Sequence, residues 1–284
     1  TMDRHRRVTQ AVILAAGETK SFDRPVGFLE IEGTTIIERL IDILREQGIT
    51  KVVIITGYES NHFENIGREW IHLVYSDRYK WTGTMHSLSL AKHYVDGDFL
   101  LIEGDIVFEE RAISHIIEHP SRDCLVIANE SGSGDEALVE TRNGAVFKIS
   151  KDMHQLGKID GEFIGLSKIS LDTYFDMLED YSHSLNPYLH YEYVLLNVKD
   201  KHRVDYVKID DLVWGEIDTV NHYTNLKLYT YPKLLRKESE FKEEHIRSLV
   251  SAIMNVNRDD IGTTEKLGGM NNSNYRVDLS TGSI

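Results

Sequence analysis

Three stretches of this sequence combine residue types that act on phosphates and cations. The first is Leu14-Ala15-Ala16-Gly17-Glu18, running on through Lys20 and Arg24 to Pro25. An apolar strand, a glycine-containing loop and a helix can wrap a triphosphate in backbone N–H groups. Small residues let the backbone come close, and Lys20 and Arg24 would neutralise phosphate oxygens. One glycine alone also fits an ordinary strand-to-helix loop. The second is the pair Asp105 and Asp218. Magnesium takes oxygen ligands, usually one or two carboxylates plus substrate phosphates. Asp105 follows an apolar run, at the end of a strand where open α/β sheets bind ligands. It equally reads as a turn residue, and Asp218 as the N-cap of a helix starting near Val220. The third is Trp81 with Tyr188, Tyr191, Glu192, Tyr193 and Trp214. Aromatic faces with a carboxylate hold a quaternary ammonium, although any one of these rings also serves as core. Glu192 stands out because a charge among aromatics needs a reason.

The elements that must position these residues follow from apolar spacing. Ala11–Ala16, Lys51–Thr56 and Asp98–Glu103 are short apolar runs ending at Gly17, Gly57 and Gly104, the pattern of buried parallel strands. Thr35–Gln47 carries Ile36, Ile37, Leu40, Ile41 and Leu44 on one helical stripe, stopped by Gly48. A helix over Asn61–Glu69, a strand over Ile71–Tyr75 and a helix over Met85–His93 continue the alternation. Ahead of that last helix, Thr82 or Thr84 supplies a cap and Gly83 permits close backbone approach. Asn143-Gly144 marks a hairpin between Ala137–Glu140 and Ala145–Ile149. Further strands are expected at Phe163–Ile169, Val204–Ile209 and Leu212–Ile217, and helices at Leu171–Tyr181 and Leu189–Val198. The rhythm predicts an α/β domain over residues 10–232, with a mostly parallel twisted sheet flanked by helices and a small lid. The charged stretch from Lys233 reads as a helical linker over 233–260.

Composition bounds the rest. The 284 residues carry a net charge of −14, which argues against a nucleic-acid-binding face. The single cysteine, Cys124, lies in the apolar run Cys124–Ala128 and reads as a buried strand residue. No internal disulfide framework is possible, and no stretch is long and apolar enough to span a membrane. The expectation is a cytoplasmic protein without nucleic-acid or membrane partners, whose first nine residues are a cut or cloned edge. His115-Ile116-Ile117-Glu118-His119 matches a zinc-protease pattern. Pro120 ends the helix at once, no further carboxylate stands at helical spacing, and the match is rejected.

Leu14-Ala15-Ala16-Gly17 with Pro25 and Leu29-Glu30-Ile31 resembles the signature loop of the sugar-nucleotidyltransferase superfamily. The resemblance continues in order through Gly57-Tyr58, Thr82-Gly83-Thr84-Met85-His86-Ser87-Leu88, Gly104-Asp105 and Glu216-Ile217-Asp218, covering roughly residues 10–230. It is closest to the phosphocholine cytidylyltransferases and related enzymes acting on aminoethylphosphonate. The resemblance implies a Rossmann-like nucleotide-diphospho-sugar transferase fold and Mg2+ on Asp105 and Asp218. It also implies nucleotide contacts from Leu14, Ala15, Ala16, Gly17, Glu18, Gly57, Thr82, Gly83, Thr84, Ser87 and Asp105. The loop departs from the pattern: Thr19 replaces a second glycine, Ser21 an arginine and Val26 a lysine. Lys20 and Arg24 are the candidates to take over, and Trp81, Tyr191, Glu192 and Trp214 the candidate acceptor contacts.

Near the C-terminus, Gly268-Gly269-Met270-Asn271-Asn272-Ser273-Asn274-Tyr275 resembles the opening hairpin of choline kinases and aminoglycoside phosphotransferases. Residues 261–284 are therefore expected to be the truncated start of a kinase-like domain. The combined expectation is an enzyme that joins the nucleoside monophosphate of CTP to a phosphorylated or phosphonate amino alcohol and releases pyrophosphate. The alternatives are a sugar-1-phosphate nucleotidyltransferase and an inactive nucleotide-sensing domain.

Overall fold

The computed structural model describes residues 7–267, 274–280 and 282–283. The chain divides into two compact units, Thr1–Thr230 and Tyr231–Ile284.

The first unit begins with β1 (Gln10–Ala15) and α1 (Ile36–Glu46). Thr35 starts that helix with a reciprocal capping box: its side chain accepts from Glu38 N, and the Glu38 carboxylate accepts from Thr35 N. β2 (Lys51–Thr56), β3 (Ile71–Tyr75), α2 (Thr84–Ser89) and β4 (Phe99–Glu103) follow. β1 lies between β2 and β4, and β2 pairs with β3, all in parallel. Side chains alternate across this sheet. Ile13, Ile54 and Ile102 pack on one face with α1, and Val12, Val53 and Leu101 on the other with Met85 and Leu88 of α2. In place of a regular helix over Asn61–Glu69 stands a 3-10 segment, Ser60–Ile66, closed by Gly67 at φ 51°.

The second half adds β5 (Ile106–Phe108), α3 (Arg111–Glu118), β6 (Cys124–Ala128), β7 (Leu138–Arg142), β8 (Ala145–Ser150) and β9 (Gly161–Ile169). Then come α4 (Leu171–Ser182), α5 (Tyr191–Asn197), β10 (Asp205–Ile209), β11 (Trp214–Glu216) and α6 (Val220–Asn225). β9 is the long antiparallel bridge, pairing with β4, β6 and β7. β7 and β8 form the hairpin, with Asn143 at φ 52° and Gly144 at φ 73° in its turn. β5 and β11 form a separate antiparallel ribbon. The result is a mixed, mostly parallel sheet flanked by helices.

In the second unit, α7 (Tyr231–Met254) is one continuous helix that starts two residues before the expected 233–260 linker and ends six residues before its end. β12 (Ile261–Leu267) pairs antiparallel with β13 (Asn274–Leu279). Arg247 of α7 donates to the carbonyls of Ile261 and Gly262. Residues 268–273, which carry most of the kinase-like resemblance, lie outside the described residues. Among the described residues no helix is long and apolar enough to cross a membrane.

Candidate functional site

β1, β2 and β4 end in line, with Ala15 beside Thr56 and Leu14 beside Glu103. Their following loops are stitched together. Tyr58 N donates to Ala16 O at 3.0 Å and Gly104 N to Leu14 O at 2.8 Å. This brings Gly17, Gly57 and Asp105 to one edge, the carboxyl end of the parallel strands.

Glu103, Asp105 and Glu216 meet there, with one carboxylate oxygen from each within 4.8 Å of the others. The chain joins them through the ribbon, where Glu216 stands opposite Ile106 and Ile217 N donates to Asp105 O at 2.9 Å. A buried clasp fixes the ribbon. Glu109 accepts from Val213 N and is gripped by Arg111, which also reaches Asp211. Tyr191 Oη donates to Glu103 Oε1 at 2.7 Å. The three acids are half-buried, but Asp105 Oδ1 is fully covered and has no hydrogen-bond partner.

Crowded carboxylates out of water resist ionisation. Burial first, then the charge of Glu192, pushes Glu103 up to about 7, against the pull of the Tyr191 hydroxyl. Burial, Glu103 and Asp218 push Asp105 up to about 8. Burial, Asp105 and Asp218 push Glu216 up to about 9. An all-oxygen donor set with an orphaned buried oxygen and unrelieved repulsion fits a hard divalent cation.

Asp218 raises all three of these acids by its charge but is not one of the three converging groups. Its carboxylate is 45 % exposed and lies 3.7 Å from His222 Nδ1. It does not cap α6, because Thr219 does, accepting from His222 N. Lys151 is the basic counterweight. Burial lowers its pKa, but the hydrogen bond and charge of Asp135, with Glu216 and Glu192, outweigh that and raise it. It pairs with Asp135 at 2.8 Å.

The loop shows a different character. Gly17, Glu18 and Lys20 are exposed, while Val26, at the position of the superfamily's lysine, is buried in the core. Arg24 is paired with its neighbour Asp23 at 3.0 Å. The Thr82 hydroxyl donates to Arg78 O, and Thr84 Oγ1 accepts from Tyr191 N. The N-cap of α2 is Gly83 without a side-chain cap, so the threonines bind elsewhere. A Cβ on Gly83 would collide with the Leu189 and Tyr188 carbonyls, which explains glycine there. Ser87, a residue of α2, is buried.

The four proposed acceptor residues do not form one cage. Tyr191 is fully buried in the α2-side core, whereas Trp214 packs on the opposite core. Trp81 is 60 % exposed. Glu192 is buried on α5, its pKa raised by burial. His115, Glu118 and His119 form no metal-capable group among the described residues, and α3 ends at Glu118. Cys124 is buried, its thiol pushed up to about 12 by burial.

Residues 11–162 match the MobA-like NTP transferase domain. The chain belongs to this nucleotidyltransferase family. As an NTP transferase it is 30% identical over 220 residues to the bifunctional IPC transferase and DIPP synthase of Thermococcus kodakarensis, covering 74% of this chain and 48% of that protein. The chain thus spans about half the length of that relative. It is 26% identical over 234 residues to a choline-phosphate cytidylyltransferase of Haemophilus influenzae, covering 76% of this chain and 95% of that one. Its fold matches the inositol-1-phosphate CTP transferase from T. maritima at a TM-score of 0.67 and 20% identity, covering 83% and 98% of the two chains. Against the CTP:phosphocholine cytidylyltransferase from Streptococcus pneumoniae the TM-score is 0.62 at 20% identity, covering 78% and 98%.

Three residues of this transferase's cluster escape a reading of site residues from sequence alone: Glu103, Glu216 and Lys151. Glu103 hides as the last residue of an apolar run. Glu216 ends β11 two residues before Asp218, and that spacing of carboxylates at a strand end is the local signal that could have marked it. Nothing local marks Lys151.

Proposed function

We propose that this NTP transferase joins the nucleoside monophosphate of CTP to a small phosphorylated or phosphonate acceptor bearing a cationic group, and releases pyrophosphate. The carrying observation is the carboxylate cluster with its buried, unpartnered oxygen at Asp105 Oδ1, at the carboxyl end of the parallel strand β4. Asp105, Glu216 and Glu103, with Asp218 beside them, are the residues that would hold Mg2+. When bound, that ion supplies positive charge to the transferring phosphate.

The chain's own residues do the rest. The loop N–H groups from Gly17 onward, with Lys20, receive the triphosphate. Gly57 and the Thr82–Ser87 segment flank the nucleoside. An acceptor phosphate oxygen attacks the α-phosphorus in line, the bond to the β-phosphate oxygen breaks, and its electrons leave with pyrophosphate. The acceptor is already an anion, so no general base is required, and catalysis is positioning and electrostatics. Lys151, which feels the charges of Glu216 and Glu192, is the candidate cation for the acceptor phosphate, exchanging Asp135 for it. Glu192, buried and close enough to Glu103 to raise it by its charge, meets the acceptor's cation. A fused kinase-like segment over residues 261–284 would suit an acceptor that must first be phosphorylated.

The sugar-phosphate alternative keeps some support. A UTP–glucose-1-phosphate uridylyltransferase of Haloferax volcanii is 31% identical over 108 residues, covering 35% of this chain and 44% of that one. The test is a matrix of the four nucleoside triphosphates against phosphocholine, phosphoethanolamine, aminoethylphosphonate, inositol 1-phosphate and hexose 1-phosphates, read by pyrophosphate release. Turnover is expected with CTP and a cationic acceptor. Turnover confined to polyol or sugar phosphates that carry no cationic group would overturn the acceptor assignment, and CTP binding without any turnover would favour a sensing domain.

A further inference from the structure

The phosphate loop has almost no internal support. Within it Phe22 N donates to Thr19 O at 3.1 Å, and a Cβ on Gly17 would meet nothing within 4 Å. Its tip is held from outside instead. Tyr58 Oη donates to Phe22 O at 2.9 Å. The Phe22 ring meets Tyr223 edge-on, with centroids 5.9 Å apart and planes at 88°. Tyr223 is itself fixed, because its hydroxyl donates to Glu30 O and Lys227 Nζ stands 4.1 Å from its ring centroid.

Tyr223 lies on α6, the helix that directly follows Asp218. The same segment is bound back onto Asp218, since Asp218 N donates to His222 Nδ1 at 3.3 Å. Ser21 Oγ reaches Asp218 O at 3.5 Å, a second approach between loop and segment. The tip of the phosphate loop and the carboxylate beside the acidic cluster therefore share one support.

We infer that Phe22 is a positioning residue: through its edge contact with Tyr223 it sets the phosphate loop against the Asp218 segment, so that the β- and γ-phosphates and the acidic cluster are gripped as a unit. The inference rests on the nucleotide reading above. It goes beyond that reading by making an aromatic contact, rather than a second glycine or a loop arginine, the device that shapes the loop. A loop free of this contact still presents its N–H groups but samples more conformations, and ordering them falls on the bound nucleotide.

The test compares CTP with CMP, because only the triphosphate reaches the loop tip. Binding is measured by calorimetry on the full chain with Mg2+, alongside nucleotide and acceptor KM. F22A and Y223A are each expected to weaken CTP roughly two- to twelvefold, the range an aromatic pair supports. CMP affinity and acceptor KM should stay unchanged. The double variant F22A/Y223A should be no weaker than either single one. Y223F, which keeps the ring but loses the hydroxyl's bond to Glu30 O, should weaken CTP less than Y223A.

Equal weakening of CTP and CMP, additive losses in the double variant, or no change in F22A would each overturn the coupling. If F22A lowers Tm enough to unfold the protein, F22L carries the same comparison with a side chain of similar size and no ring. Wild-type protein that binds none of the four triphosphates would sink the nucleotide reading, and the coupling with it. Wild-type CTP binding left untouched by F22A would sink the coupling alone.

Discussion

The phosphate loop and the acidic cluster lie at the same edge of the sheet but are built on opposite principles. Around residues 17–24 the charged side chains are exposed, Arg24 is paired with its neighbour Asp23, and the backbone is held from outside at its tip. Around Asp105 the acids are crowded and half-buried, with Asp105 Oδ1 unpartnered, and the backbone is locked by the β5–β11 ribbon and the Glu109 clasp. Like charges are held together only where the surrounding structure over-determines them. On the proposed function, this difference means a cluster preorganised for a divalent cation and a loop completed by the nucleotide. Loss of a cluster residue should therefore appear in turnover, and loss of a loop residue in nucleotide affinity.

The largest effect should come from the cluster. Asp105→Asn or Asp218→Asn is expected to lower kcat by at least about a hundredfold, the scale of a lost electrostatic contact to developing charge. Far-ultraviolet circular dichroism should stay unchanged. Near-normal pyrophosphate release by either variant would refute that residue's place at the cation. Glu192→Gln should reduce efficiency toward a cationic acceptor by roughly ten- to hundredfold, as for a lost charged partner, and leave nucleotide KM alone. A loss that falls on CTP instead would remove Glu192 from the acceptor side.

A third measurement separates the regions by proton uptake. The pKa values of Glu103, Asp105 and Glu216 are raised, to about 7, 8 and 9. Between the ordinary carboxylate range and those values the folded protein holds protons that the unfolded chain has released. Stability of the metal-free protein therefore falls as pH rises through that window. Thermal scans in chelator from pH 5 to 9 should show Tm declining toward pH 9, and Mg2+ should raise Tm most at the alkaline end. Asp105→Asn should flatten the decline, and a Tm that instead rises with pH in the wild type would contradict the repulsive cluster. The smallest effect is expected from Lys20→Ala: a rise in nucleotide KM of less than about tenfold, since an exposed cation is largely screened. An unchanged KM would pass its role to another group.

Legibility in the sequence follows the same division. The strands that end at Gly17, Gly57 and Gly104 could be read because burial on both faces demands continuous apolar runs, and the loops after them mark the edge. Asp105 could be read from its place beyond such a run. The orientation of Glu103 could not. It depends on Gly165 of β9, at φ 86°, where a Cβ would come within 3.0 Å of the Glu103 carboxyl carbon. Trp214 and Tyr191 looked alike as aromatics, but only the sheet decides that they pack in opposite cores. The helix expected over Asn61–Glu69 failed for a local reason, since Glu59 and Gly67 both adopt left-handed backbone at its ends and leave a short 3-10 segment. Lys151, just past the end of β8, acts on the acids only through its charge, a tertiary placement with no local periodicity to announce it.

The ribbon that closes the acidic cluster also says something about time. Glu109 and Val213, whose bond holds β5 against β11, are 104 residues apart in the chain. A pairing of that separation carries a large loop-closure cost and forms after more local structure. The acids can therefore come together only once most of this unit is already folded. A divalent cation that needs all of them finds no binding site in the folding transition state. It should leave the refolding rate unmoved and slow unfolding instead, acting as a lock on the finished fold and not as its seed.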